Sequence, residues 1–151
     1  MYDLDYNLRN LFSVRQFWKE NTNFKMNSPR KSSCLLLLCG CSAIYKFDSL
    51  SLTVPRGSVL YIPEGAVYET KFFDCDTTLP ATILIEFSLV INDVNFRVSD
   101  TPIILKQGSN VMLNEWFNDA ADIYSSAVIS LSRLKSIVYN LLWYLSDNER
   151  K

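Results

Sequence analysis

Residues able to do covalent or metal chemistry are scarce in this sequence, and the scarcity narrows what it can do. Histidine is absent, which removes the commonest general base and the commonest metal ligand together. The cysteines are Cys34, Cys39, Cys41 and Cys75. Cys39-Gly40-Cys41 leaves one residue between thiols, tighter than the two to four of a zinc knuckle. They are read as reduced, mostly buried side chains that behave as small apolar groups. No catalytic residue, metal or cofactor is expected.

Binding chemistry is better represented. Tyr68 offers a ring and a hydroxyl, and Glu86 a strong acceptor. Tyr68, Thr70 and Phe72 share one strand face by alternation, and Thr82, Leu84, Glu86 and Ser88 share another. We take Tyr68, Thr70, Phe72, Thr82, Leu84 and Glu86 as candidate ligand-binding residues. Two orientations of the second strand stay open. An inward Glu86 is costly unless something partners it. If Ile83, Ile85 and Phe87 fill the core instead, Glu86 faces solvent. Tyr68 can equally be plain core filler.

The elements that must position these residues are marked by turn residues. Pro29, Gly40, Pro55, Gly57, Pro63, Gly65, Pro80, Pro102 and Gly108 punctuate the chain between 29 and 108, and no glycine or proline follows. Frequent breakers between short apolar runs predict strands at about 33–39, 43–47, 50–54, 58–62, 67–73, 82–90, 94–98 and 102–106. Many short strands at close spacing point to a sandwich or barrel. Residues 1–29 form an N-terminal arm, where Leu4, Leu8, Leu11 and Phe12 have helical spacing. Arg30-Lys31 is a basic pair, read as a solvated edge before the first barrel strand.

After Gly108 the period changes to that of helices. Leu113, Trp116, Phe117, Ala120, Ile123 and Tyr124 make one stripe that can lie on the β-structure. Leu131, Leu134, Val138, Leu141 and Leu145 step by three and four, which is an a/d seam. Tyr139 and Trp143 lie on the opposite side of that helix. A helix apolar on two sides contacts two things, so the seam is a candidate dimer interface. Burial of both stripes within one chain is the other reading.

Charge and length set further bounds. The 151 residues amount to about one domain. A net charge of −1 argues against gripping a phosphate backbone, which needs a clustered positive surface. The run Leu35–Cys39 is far too short to span a membrane. Met1–Asn10 carries Asp3 and Asp5 and no apolar stretch, unlike a secretory signal, so a cytoplasmic, membrane-free protein is expected.

One segment carries a resemblance. In Gly57-Ser-Val-Leu-Tyr-Ile-Pro63-Glu-Gly65-Ala-Val-Tyr68, Gly57, Pro63 and Gly65 have the spacing of the second cupin motif. Gly57 allows a tight turn, Pro63 ends a strand because it cannot donate to the ladder, and Gly65 permits positive φ. The residue three further on can then point inward. Metal-binding cupins place a ligating histidine there, and this chain has Tyr68. Together with the order of elements over roughly 30–147, the chain resembles the N-terminal regulatory domain of AraC-family transcription regulators.

That resemblance implies a cupin-like, jelly-roll β-barrel over 30–108 and a helical pair over 109–147 that joins two subunits. It also implies a small polar effector in the barrel, often a sugar, bound without metal or catalysis. DNA would be contacted only by a C-terminal domain. The chain stops at Asp147-Asn-Glu-Arg-Lys151 with no helix-turn-helix candidate, and this polar ending favours an excised fragment. The competing readings are a small cupin enzyme acting on a sugar or similar metabolite, and a ligand-free dimerisation platform.

Overall fold

The dense punctuation between 29 and 108 does yield short antiparallel strands. A computed structural model describes residues 6–150, with side chains described for 6–146. The strands are β1 (Asn7–Gln16), β2 (Asn23–Lys25), β3 (Ser33–Leu37), β4 (Ser42–Lys46), β5 (Ser51–Val54), β6 (Val59–Ile62), β7 (Glu69–Phe73), β8 (Thr82–Ile91), β9 (Val94–Phe96) and β10 (Ile103–Lys106). Two helices follow, α1 (Val111–Ser125) and α2 (Leu131–Arg150). All eight strands read from the sequence are present, with ends shifted by a few residues. The mainly β fold followed by two helices is as expected.

The strands form two sheets and not one closed barrel wall. One sheet runs β1-β8-β3-β6-β10 with β9 paired to β8, and the other runs β2-β7-β4-β5. They face each other, and the helices cover the far side of the larger sheet. That sheet is therefore buried on both faces, which explains why β3 reads as an unbroken apolar run. Leu35 and Leu37 pack toward the helices with Val59, Tyr61, Ile83, Ile85 and Phe87. Cys34, Leu36 and Leu38 pack toward the smaller sheet with Leu60, Ile62 and Leu84.

The N-terminal arm is a strand, not a helix. β1 pairs along β8, with a register shift between Arg9 and Phe12, and Asn10 has φ 57°. This β-bulge breaks the two-residue alternation. Leu8 and Leu11 consequently reach the helix side while Phe12 and Val14 reach the sheet side. The three- and four-residue spacing that suggests a helix is the signature of the bulge. Leu4 lies outside the described residues. The arm is thus part of both sheets, since β2 pairs with β7.

The helical stripes meet their own chain. Leu113, Phe117, Ala120 and Ile123 of α1 are buried, as their spacing predicts. The seam of α2 needs correction. Leu134, Val138, Leu141 and Leu145 are at most 1% exposed and belong to the same core. Burying a leucine is worth about 1.5–3 kcal/mol, and here that gain is spent inside the chain. Only Leu131 of the proposed dimer seam is exposed. On the other side of α2, Tyr139 donates to the Tyr6 carbonyl oxygen at 3.1 Å, and Trp143 is exposed. Asn110 caps α1, its side-chain oxygen accepting from Leu113 N–H, and its amide donates to Tyr144 on α2.

The cysteines also depart from expectation. Cys41 and Cys75 form a disulfide, which ties the start of β4 to the connection between β7 and β8. Cys34 and Cys39 are free thiols. No helix among the described residues is long and apolar enough to cross a membrane.

Candidate functional site

The glycine-proline motif positions its residues as the spacing requires. Gly57 and Gly65 have φ of 88° and 87°, and β6 ends at Ile62, immediately before Pro63. A Cβ on Gly57 would come within 2.9 Å of the Ser109 nitrogen, so both backbone angle and space call for glycine. Tyr68 follows the turn and is buried between the sheets.

The same turn fixes a residue from a different part of the chain. Gly65 N–H donates to the Arg30 carbonyl oxygen at 2.7 Å, and Arg30 N–H donates to the Ala66 carbonyl at 3.0 Å. Two residues on, Met26 N–H donates to the Tyr68 carbonyl at 2.9 Å. These bonds hold the segment before β3 against the motif and deliver the Arg30 guanidinium beside Tyr68. Arg30 Nη1 donates to the Tyr68 hydroxyl at 3.1 Å, and Nε donates to the Ser32 carbonyl at 3.1 Å. Nη2 lies 3.4 Å from Glu86 Oε1. The Arg30 side chain is only 8% exposed, so the expected solvated edge is wrong for this half of the basic pair. Lys31 is the exposed half.

Glu86 faces inward and is partnered. Besides Arg30, it accepts from Ser32 Oγ at 2.9 Å. Its side chain keeps 30% exposure, which places it at the edge of the inter-sheet space. Ile83, Ile85 and Phe87 fill a core as well, but the one beneath the helices. The two orientations left open by the sequence are reconciled because β8 is buried on both faces.

A cavity of about 60 Å³ lies between the sheets. Its wall is Trp18, Phe24, Leu36, Tyr45, Tyr68, Phe72 and Leu84, with Gln16, Arg30 and Thr70 as the polar members. Four of the six candidate binding residues, Tyr68, Thr70, Phe72 and Leu84, therefore come together. Thr82 and Glu86 do not line it. Thr82 is buried and donates to Gln16 Oε1 at 2.8 Å, so it supports a wall residue. Trp18 closes one side, stacked on Phe72 with centroids 5.5 Å apart and tilted against Phe24.

Burial sets the protonation of the site. It pushes the Tyr68 phenol up to about 12, with Cys34 adding to the shift and Arg30 opposing it. The Cys34 thiol is fully buried and likewise pushed up to about 12 by desolvation, with Arg30 opposing. Both groups hold their protons near neutral pH. Tyr68 accepts from Arg30, which leaves its own hydrogen for another acceptor. Thr70 Oγ1 is buried and has no hydrogen-bond partner, a costly arrangement for a hydroxyl.

Arg30, Trp18, Phe24, Gln16 and Tyr45 were not legible as site residues. Trp18 and Gln16 lie at and beyond the end of the strand mistaken for a helix. The one available signal was that a tyrosine at an inward motif position needs a polar partner, and Arg30 lies just before the first strand of the expected barrel.

No protein-family model matches the chain, and no curated protein matches it. Among solved structures it is similar to unsaturated fatty acid bound wild-type ToxT from Vibrio cholerae strain SCE256, at 12% identity and a TM-score of 0.43. That likeness covers 97% of this chain and 54% of the other, so the chain spans about half of that protein's length. At this degree of similarity the likeness assigns neither ligand nor activity, which must be read from the residues of the site.

Proposed function

We propose that the chain is a non-catalytic effector-binding domain of a transcription regulator of the AraC type, taking a small organic molecule between its two sheets. The observation that carries this reading is the inter-sheet cavity at Tyr68, walled by aromatic rings and holding one unpartnered hydroxyl, that of Thr70. Ser58 Oγ is also buried without a partner but lies away from the cavity, so it is the coincidence of void, rings and free hydroxyl at Tyr68 that supports a binding site. DNA contacts would belong to a separate domain, and subunit pairing would need a surface other than the buried α2 seam. We place the protein in the cytoplasm, with the Cys41–Cys75 bridge the one feature at odds with that compartment.

The sugar implied by the resemblance finds little support in a wall that is mostly aromatic and aliphatic. The small volume favours the second reading, a solid domain that serves as a platform. Ligand pockets usually enclose about 300–1,000 Å³, so an effector must move the wall. A thermal-shift screen of metabolites of all charge types separates the two. A ligand that binds only the folded state at a hundredfold excess over Kd adds about 2.7 kcal/mol of apparent stability. Hits that disappear in Tyr68→Phe or Thr70→Val support the effector site, and the absence of any hit supports the platform.

A further inference from the structure

The polar groups around the cavity are unevenly placed, and the unevenness points to a ligand charge. Arg30 is a wall residue, whereas its counter-ion Glu86 is not. Glu86 approaches the guanidinium from outside, at 3.4 Å and partly exposed to solvent. The cavity therefore sees a buried cation with its neutralising charge behind it. The other polar groups that face inward are able to donate. They are the Tyr68 and Tyr45 phenols, which keep their protons, the unpartnered Thr70 hydroxyl, and the amide of Gln16. Gln16 spends its carbonyl oxygen on Thr82, so what remains is its NH2. A buried cation beside hydroxyl and amide donors, with no carboxylate in the wall and set among apolar rings, suits an anion carried on an apolar body.

Building on the effector-binding reading, we propose that the cavity takes an organic monocarboxylate with a compact aromatic or aliphatic body, its head on Arg30 in place of Glu86. The carboxylate would accept from Arg30, Tyr68 and Thr70, which satisfies the Thr70 hydroxyl. Glu86 can leave cheaply because it retains Ser32 and has open solvent beside it. At about 60 Å³ the present cavity is small against ordinary ligand pockets and has room for the head group alone. The body must displace the Trp18 ring, which is half-buried, stacked on Phe72 and tilted against Phe24. Binding thus moves a tryptophan, and its fluorescence reports it.

The test is titration calorimetry of the whole chain with benzoate and hexanoate, against the neutral benzamide and hexanol and the cationic benzylamine. Carboxylates should bind at least about tenfold more tightly than the neutral forms, as charge-assisted bonds to arginine require. Arg30→Gln should abolish that preference and Arg30→Lys should restore part of it. Glu86→Gln should tighten carboxylate binding several-fold by removing the competitor, a gain that no purely structural role would give. It also serves as the informative variant should Arg30→Gln fail to fold. Equal binding of neutral and anionic compounds, unchanged in Glu86→Gln, overturns the carboxylate class and leaves the effector site standing. No binding by these compounds, with hits of other chemistry in the wider screen, overturns the class in the same way. No hit from any compound in either experiment removes the effector reading as well.

Discussion

The two faces of the six-stranded sheet are built from alternate residues of the same strands and do opposite things. Toward the helices, Leu35, Tyr61, Ile83, Ile85, Phe87, Phe117, Leu134 and Leu141 are packed at 0% exposure. The Tyr61 hydroxyl among them bonds Ser33 and the Val98 N–H. Toward the smaller sheet, the same strands offer Cys34, Leu36, Leu84 and Glu86, and there the cavity, the buried arginine and the unpartnered Thr70 hydroxyl are found. One side is filled, and the other carries a void and a charge. Stability and binding have been assigned to opposite faces of one sheet, so a substitution can strike one without the other.

The largest effects belong to the filled side. Phe117→Ala should cost about 3–5 kcal/mol, the usual loss for a large aromatic in a packed core, read as a lowered urea midpoint. Leu141→Glu should unfold the domain outright, since it puts a charge where no partner exists. A folded, monomeric Leu141→Glu with unchanged circular dichroism would instead restore the seam as a subunit interface and undo the comparison. Trp18→Ala on the void side, removing a half-buried ring, should cost clearly less than Phe117→Ala in the same titration.

The ion pair comes next. Arg30→Gln strips Tyr68, Ser32 and Glu86 of a shared donor, and should cost about 1–3 kcal/mol, the penalty for leaving buried groups unpaired. Glu86 can rehydrate, so Glu86→Gln alone should cost less. The double variant should show a coupling of about 0.5–3 kcal/mol, as residues in one network do. Additive losses would mean that Arg30 acts as packing and that the charge at the cavity is incidental.

Alkaline pH probes the same side through Cys34. Its thiol is raised from 9.0 to about 12 by burial, so in this window the folded chain holds a proton that the unfolded chain releases. Stability contributed by the buried thiol is complete below pH 9 and falls as pH climbs toward 12, by at most about 1.4 kcal/mol per unit for one group. Cys34→Ala should flatten that decline in chemical denaturation between pH 8 and 10.5. An identical slope in the variant would assign the decline to Cys39, whose thiol burial pushes up to about 11, and to the buried tyrosines.

How far the sequence reveals these differences depends on which signal each residue leaves. The strands after residue 30 were legible because glycine and proline bracket them, and Tyr68 was placed inward by the turn chemistry of Gly57, Pro63 and Gly65. α1 was legible from its stripe. Three things were not. The bulge at Asn10 imitates helical spacing and hid β1, and with it Gln16 and Trp18. The a/d seam of α2 is the same pattern whether it meets a second chain or the back of a sheet, because spacing records apolarity and not its partner. Arg30 looked like an exposed basic residue since its burial depends on backbone bonds to Gly65 and Ala66, which are distant in sequence. Local chemistry was readable, and contacts made by tertiary pairing were not.

The smallest expected effect is also the sharpest. Thr70→Val keeps the side-chain shape and removes only the hydroxyl that has no partner. A buried polar atom without a hydrogen bond costs about 1–3 kcal/mol, so the variant should be more stable than the natural chain by about 1 kcal/mol. In a chain of this length that is a rise of about 2–4 °C in Tm. The same variant should bind carboxylates several-fold more weakly, because it removes one of the donors that face the head group. Gain of stability with loss of binding is what separates a hydroxyl kept for a ligand from one that is merely tolerated. If Thr70→Val lowers Tm and leaves binding unchanged, the hydroxyl supports the fold, and the void side would then differ from the helix side only in how well it is filled.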